Sequence, residues 1–161
     1  MNLLDQLEEH IHLSEKRIRQ VIAVTPEMQL LMTLPGVGPI LSITIALEVG
    51  DVARFPDASH LASYSGTVPR VSSSGGKTRF GRVRPDVNRH LKHAFVEAAN
   101  VVVLNQTRRP GSHAVQLYQR VKTNKGHGKA VVAVGRHLAE STYWVLKRRE
   151  PYKEPVSSKQ G

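Results

Sequence analysis

Cysteine is absent from the 161 residues, which excludes a disulfide framework and any thiolate metal site, zinc fingers included, and permits a reducing compartment. Apolar runs are short. None approaches the roughly 18 residues of a membrane span, and the opening stretch MNLLDQLEEH carries acids where a secretory leader needs basic residues. A soluble, cytoplasmic chain with no membrane partner is expected. Acids are scarce in the second part: residues 70–161 hold 5 Asp/Glu against 19 Lys/Arg, whereas residues 1–69 hold 8 against 4. The net charge of +10 is therefore segregated. Such a field concentrates a polyanion and releases its counterions on contact, so nucleic acid is the natural partner. A merely solvated basic face is the plain alternative.

What is present fits one domain with tails: 40% hydrophobic residues and 22% charged ones. Leu4, Leu7, Ile11, Ile18 and Val21 recur at three- and four-residue steps, broken at Ser14, and form a heptad-like seam over residues 1–24. That seam suits a homo-oligomer or an antiparallel partner helix; an ordinary amphipathic helix lying on the core is equally compatible. Thr25-Pro26-Glu27 restarts a helix with Met28, Leu31 and Met32 on its apolar face. Leu34-Pro35-Gly36-Val37-Gly38-Pro39 breaks it, and helical patterning resumes from Ile40 to Val49. Further helices are predicted at about 57–64, from Pro85-Asp86 to about Leu104, and at 112–123 and 129–147. Val132, Leu138, Tyr143 and Leu146 are core candidates of the last one. Between them, residues 65–84 read as a loop or short hairpin, and residues 151–161 as a basic, mobile tail. The fold class is all-α, with the main domain at residues 25–150 and no internal repeat.

Two segments carry chemistry. In the first, Gly36 and Gly38 flank Val37, which anchors a tight reversal and leaves glycine amides facing outward where the next helix begins. Amides at a helix start bind phosphate oxygens without reading sequence, so a helix-hairpin-helix over residues 28–49 is one reading and a ligand-free αα-hairpin the other. The second segment is Pro69-Arg70-Val71-Ser72-Ser73-Ser74-Gly75-Gly76-Lys77-Thr78-Arg79. Its Gly-Lys-Thr copies the end of a Walker A loop, but Val71 stands where the first glycine is required, so nucleotide hydrolysis is rejected. A serine hydroxyl used on phosphate needs a base or cations, which Arg70, Lys77, Arg79, Arg82 and Arg84 can supply. A flexible Ser/Gly linker is the competing reading. His90 and His93 lie three apart and His127 and His137 sit in basic surroundings, without carboxylate partners at metal-ligand spacing. No metal site is assigned.

Taken in order, these segments resemble the C-terminal domain of the DEDD transposases of the insertion-sequence one-ten family, with its one-one-six and nine-zero-two relatives. The likeness runs from Leu31 to Tyr152 through LPGVGPI, Glu48-Val49-Gly50-Asp51, Arg54-Phe55, LASYSGTVPR, Ser74-Gly75-Gly76-Lys77, Asn88-Arg89-His90-Leu91-Lys92 and GKAVVAVGRHLA. The resemblance implies that Ser74, or Ser73 if the loop slips by one, is a nucleophile on DNA, with Arg70 and Lys77 stabilising charge. A RuvC-like domain holding Mg2+ through four acids, and a guide (bridge) RNA, belong to the same inheritance. Residue chemistry adds a DNA surface formed by Gly36, Val37, Gly38, Arg79, Arg82, Arg84, Arg89 and Lys92.

Two departures stand out. Thr67-Val68 replaces the usual Leu-x before Pro69-Arg70, and Arg84-Pro85-Asp86-Val87 replaces a more usual Gly before Asn88. Before residue 31, Asp5, Glu8, Glu9, Glu15 and Glu27 lie on or beside one short helical segment and cannot form the acidic set. The expectation is therefore a partial transposase that lacks its metal domain and is inactive alone, its first helix ending a coiled coil between the two domains. Its rivals are a nucleic-acid-binding competitor of the full-length enzyme and an RNA-binding protein of ribosomal type.

Overall fold

The computed structural model describes residues 2–69, 71–74, 77–80 and 86–155. Helix α1 spans Leu3–Val21, α2 Pro26–Leu31, α3 Pro39–Val49, α4 Ala58–Tyr64, α5 Arg89–Leu104, α6 His113–Lys125 and α7 His127–Arg148. A 3-10 turn at Val52–Arg54 joins α3 to α4, and strands β1 (Val71–Ser74) and β2 (Lys77–Phe80) form an antiparallel hairpin between α4 and α5. The domain is all-α apart from this hairpin.

Local chemistry sets the helix starts. Thr25 Oγ1 accepts from the amide of Met28 ahead of Pro26, Asp57 from His60 and Ser112 from Val115, each satisfying an amide that the helix itself leaves unpaired. Helix α5 begins at Arg89, later than its Pro85-Asp86 expectation, because Asn88 is the cap: its Oδ1 accepts from the amide of Leu91 at 2.9 Å.

Helix α7 is the centre of the packing and touches α2, α4, α5, α6 and the 3-10 turn. Its buried face is Ala130, Val131, Val134, Gly135, Leu138, Ala139, Thr142, Tyr143 and Val145. Val132 is half-buried and lies off this face, so the inward stripe runs through Val131 and Val134. Gly135 lets α7 close on α5, for a Cβ there would sit 3.4 Å from the carbonyl oxygen of Phe95.

The turn between α2 and α3 is docked in the same way. Gly36 has φ +77° and a Cβ on it would lie 2.1 Å from the carbonyl oxygen of Ala98 in α5, so its missing side chain faces protein. Val37 is buried beside it, as its anchoring role requires. Gly38 has nothing within 4 Å of its Cβ position and is the N-cap of α3, with Pro39 following.

Helix α1 buries none of its residues; Leu3, Leu4, Leu7, Ile11, Leu13 and Val21 are all exposed. The seam therefore does not lie on the core. At the other end, residues 150–155 are tied down, in contrast to the mobile tail expected from residue 151: the Tyr152 amide donates to Thr33 Oγ1 at 2.8 Å, and Glu154 accepts from the His113 amide at 3.0 Å. Residues 156–161 lie outside the described residues. Under this strap His137 pairs with the Tyr152 hydroxyl at 3.1 Å and its ring centroid lies 4.6 Å from that of His113. Burial, and secondarily the His113 ring, push its pKa down from 6.5 to about 4.

Two outcomes follow. Gly36→Ala should cost about 3 kcal/mol or more in denaturant unfolding, because left-handed strain adds to a backbone clash, while Gly38→Ala should change stability by less than about 1 kcal/mol. Equal effects would contradict the docking of the turn on α5. For His137 the folded state excludes a proton that the unfolded chain binds, so stability is complete above pH 6.5 and falls as pH drops toward about 4. Relative to His137→Gln, the native protein should lose about 1–2 kcal/mol between pH 6.5 and pH 5. Parallel pH profiles of the two proteins would contradict that burial.

Candidate nucleic-acid interface

The segment between α4 and α5 leaves the helical domain and returns to it at two built points. At the first, Ser65 and Thr67 are fully buried after α4, and both hydroxyls donate to the carbonyl of Ala62, at 2.8 and 3.0 Å. The two oxygens are 3.1 Å apart, and the bonds to the Ala62 carbonyl leave neither hydroxyl without a partner. Thr67 methyl Cγ2 lies 3.7 Å from the Cβ position of Gly135, which seats this point against α7. Threonine at position 67 is thus accommodated, with its hydroxyl bonded and its methyl packed.

Asn88 makes the second point. Its amide donates to the Tyr64 carbonyl at 2.8 Å, which closes the segment at its base. Its Nδ2 donates to Glu48 Oε2 at 2.6 Å and to the Tyr64 hydroxyl at 3.3 Å, while its Oδ1 caps α5. Arg54 completes the cluster: Nη2 donates to the Glu48 carbonyl at 3.1 Å, and the guanidinium lies 4.6 and 4.9 Å from the ring centroids of Phe55 and Tyr64. The bond from Asn88, then the one from Arg54, hold the Tyr64 hydroxyl below the ordinary phenol pKa. A charge-assisted bond of 2.6 Å to a carboxylate is among the stronger single links available to an amide.

Beyond this base stands the hairpin, whose register pairs Ser74 with Lys77, Ser73 with Thr78, Ser72 with Arg79 and Val71 with Phe80. The structure therefore brings Ser74 and Lys77 together as the last pair before the turn. Arg70, Gly75, Gly76, Arg82 and Arg84 lie outside the described residues. Arg89 is exposed and Lys92 half-exposed on the first turn of α5, directly after Asn88. Gly36, Val37 and Gly38 do not join this group: Gly36 packs against the middle of α5 at Ala98, about 13 Å along the helix from Arg89. Charge favours a polyanion throughout, with seven Lys/Arg and a single Asp across residues 70–92.

Among the described residues no group of three or more His, Asp or Glu could hold a metal ion, and His90 and His93 are exposed. No helix is long and apolar enough to cross a membrane among those residues. The roles of Glu48, Arg54 and Tyr64 were not legible locally, since Glu48 meets Asn88 across 40 positions. Their only signal was membership in the ordered motif series.

Comparison with known proteins agrees with that series. The family profile described as transposase IS116/IS110/IS902 matches residues 28–115, more than half of the chain. The chain belongs to the IS116/IS110/IS902 transposase family. It is 30% identical to the 43.6 kDa protein of insertion element IS110 from Streptomyces coelicolor, over 83% of this chain and 32% of that one. It is 27% identical to the 44.8 kDa protein of insertion element IS116 from Streptomyces clavuligerus, over 88% of this chain and 34% of that one. The pilin gene-inverting protein of Moraxella bovis is 27% identical over 88% of this chain and 45% of its own. The chain thus spans less than half the length of these relatives.

The clamp at Asn88 can be separated from its capping role. Asn88→Asp keeps a competent cap but sets a second carboxylate against Glu48, so it should lose about 1–2 kcal/mol at neutral pH and recover as one carboxyl takes a proton below about pH 5. Adding Glu48→Gln should restore the neutral-pH stability. A pH-independent loss in thermal unfolding would contradict the contact.

Proposed function

We propose that this chain is the DNA-contacting, serine-bearing portion of a transposase, acting in the transposition or recombination of an insertion sequence. The observation that carries the reading is the pairing of Ser74 with Lys77 at the end of a hairpin, within a segment whose two ends are bonded to each other at Tyr64 and Asn88. Ser74 Oγ attacks a backbone phosphorus, a serine-phosphate bond forms, and a deoxyribose oxygen leaves with the bonding pair and takes up a proton. A hydroxyl of the other strand end reverses the step and frees the serine. Lys77 and Arg70 offset the charge that builds on the phosphorane oxygens. Arg79, Arg82, Arg84, Arg89 and Lys92 hold the flanking phosphates, and the Gly36-Val37-Gly38 turn, about 13 Å along α5 from Arg89, presents the start of α3 to a phosphate farther along the backbone.

The described residues do not fit a catalytic metal, so no step is routed through one in this chain. Mg2+ belongs in this reading to an acidic domain outside it, and a guide RNA to the basic surface of the assembled enzyme. The exposed seam of α1 supplies the coiled-coil contact of a homo-oligomer. The cytoplasm is the compartment for such a protein.

A second reading rests on the charge alone, seven Lys/Arg against a single Asp across residues 70–92. On that reading the surface binds nucleic acid without catalysis. In a full-length relative, alanine in place of the serine matched to Ser74 should abolish strand exchange and leave DNA affinity within about twofold of the parent. Normal recombination by that variant would remove the serine mechanism and leave the binding reading.

A further inference from the structure

The longest stretch without an acid is far from the hairpin in sequence. Residues 98–139 contain seven Lys/Arg and no Asp or Glu. Four of the cations, Arg120, Lys122, Lys125 and Lys129, cluster about the connection of α6 to α7 and are exposed. That connection is a single residue, Gly126, whose φ of +84° ends one helix and caps the next. So short a link between two packed helices holds the tip in one shape.

Side chains stiffen it further. Tyr118 is buried, and its hydroxyl lies 2.8 Å from Nδ1 of His127 across the turn. With the tyrosine donating, the ring proton of His127 remains on Nε2 and offers a donor on the exposed side of the imidazole. Lys122 Nζ lies 5.6 Å from the same tyrosine ring centroid. Among the described residues no carboxylate pairs with Lys122, Lys125 or Lys129, so these cations keep their full field for an outside anion.

The chemistry of the partner follows from what the tip offers and withholds. Asn124 donates to the Arg120 carbonyl, Thr123 to that of Gln119 and Gln116 to that of Gly111, which leaves charge as the main thing the tip presents. The Tyr118 ring is buried and holds Nδ1 of His127, so the tip is a fixed cluster of cations and not a row of open rings. A rigid cluster of cations suits the regular phosphate spacing of a duplex.

We propose that the α6–α7 tip is a second nucleic-acid contact, in which Lys122, Lys125, His127 and Lys129 grip the backbone of duplex DNA independently of its sequence. The inference rests on the reading of the chain as DNA-contacting, and it adds a surface separate from the hairpin and the start of α5. The two contacts together give the domain a footprint that spans more than one set of phosphates.

The test uses the full chain, a fluorescent 30-base-pair duplex and a fluorescent single-stranded oligouridine, with anisotropy read over a range of salt. The K122Q/K125Q/K129Q variant should bind the duplex about tenfold more weakly near 50 mM salt, and its log K against log salt slope should be smaller by about two to three. The K16Q/R17Q/R19Q variant removes the same charge from exposed positions of α1 and should stay within about twofold of the native protein. Circular dichroism checks that both variants remain helical. If native binding persists and the two variants behave alike, the tip proposal is overturned while the DNA-contacting reading stands. If the native chain binds no duplex, both fall. Loss of oligouridine binding with duplex affinity unchanged would overturn the assignment of duplex DNA to this surface.

Discussion

The close approach of two glycines to the backbone of α5 is the constraint on which the rest of the domain depends. Gly36 meets the carbonyl of Ala98 from the turn between α2 and α3, and Gly135 meets the carbonyl of Phe95 from α7. A side chain on Gly36 could not be placed without displacing α5, one on Gly135 would only just touch it, and small buried side chains at Ala94, Ala98 and Ala99 line the same helix. Helix α5 is thereby fixed as a strut, buried deeply enough that its start is a stationary platform. The platform matters because Asn88 caps it and closes the hairpin segment onto Tyr64.

The segment between α4 and α5 has fixed ends. Ser65 and Thr67 root its beginning in the core, and the Glu48–Asn88–Tyr64 bonds root its end. Side-chain entropy is lost in the folding of these roots, before any ligand arrives, which is how a fold prepares a loop for a weakly directional partner such as phosphate. Arg89, by contrast, is exposed and Lys92 half-exposed, where solvation costs little and salt screens them. The residues that fix geometry are thus buried or half-buried and hydrogen-bonded, while these two cations stay open to solvent.

Sequence patterning revealed much of this architecture for identifiable reasons. Thr25-Pro26 and Asp57 are local capping signals, and α2 and α4 start within a residue of where those signals place them. The apolar steps of α7 gave its buried face, except that Val132 sits beside the inward stripe, an ambiguity that a run of four small apolar residues at 130–133 cannot resolve by period alone. The start of α5 was misplaced because Pro85-Asp86 carries its own helix-start signal, while the cap that operates, Asn88, is held by partners 24 and 40 residues away. The docking of residues 150–155 was hidden for the same reason: Thr33 and Tyr152 meet across 119 positions. Gly36 looked like a turn glycine and is one, but its contact with Ala98 is tertiary and leaves no trace in the local pattern.

The central claim is that the hairpin and the beginning of α5 form the surface that DNA meets. Backbone amide resonances of the isotopically labelled chain, followed while a short duplex is added, test it most directly. The account predicts that the largest shifts fall on residues 71–80 and 88–92 and disappear in high salt. Shifts confined to α1 or to the strap at residues 150–155, with the hairpin and the first turn of α5 unmoved, would contradict it.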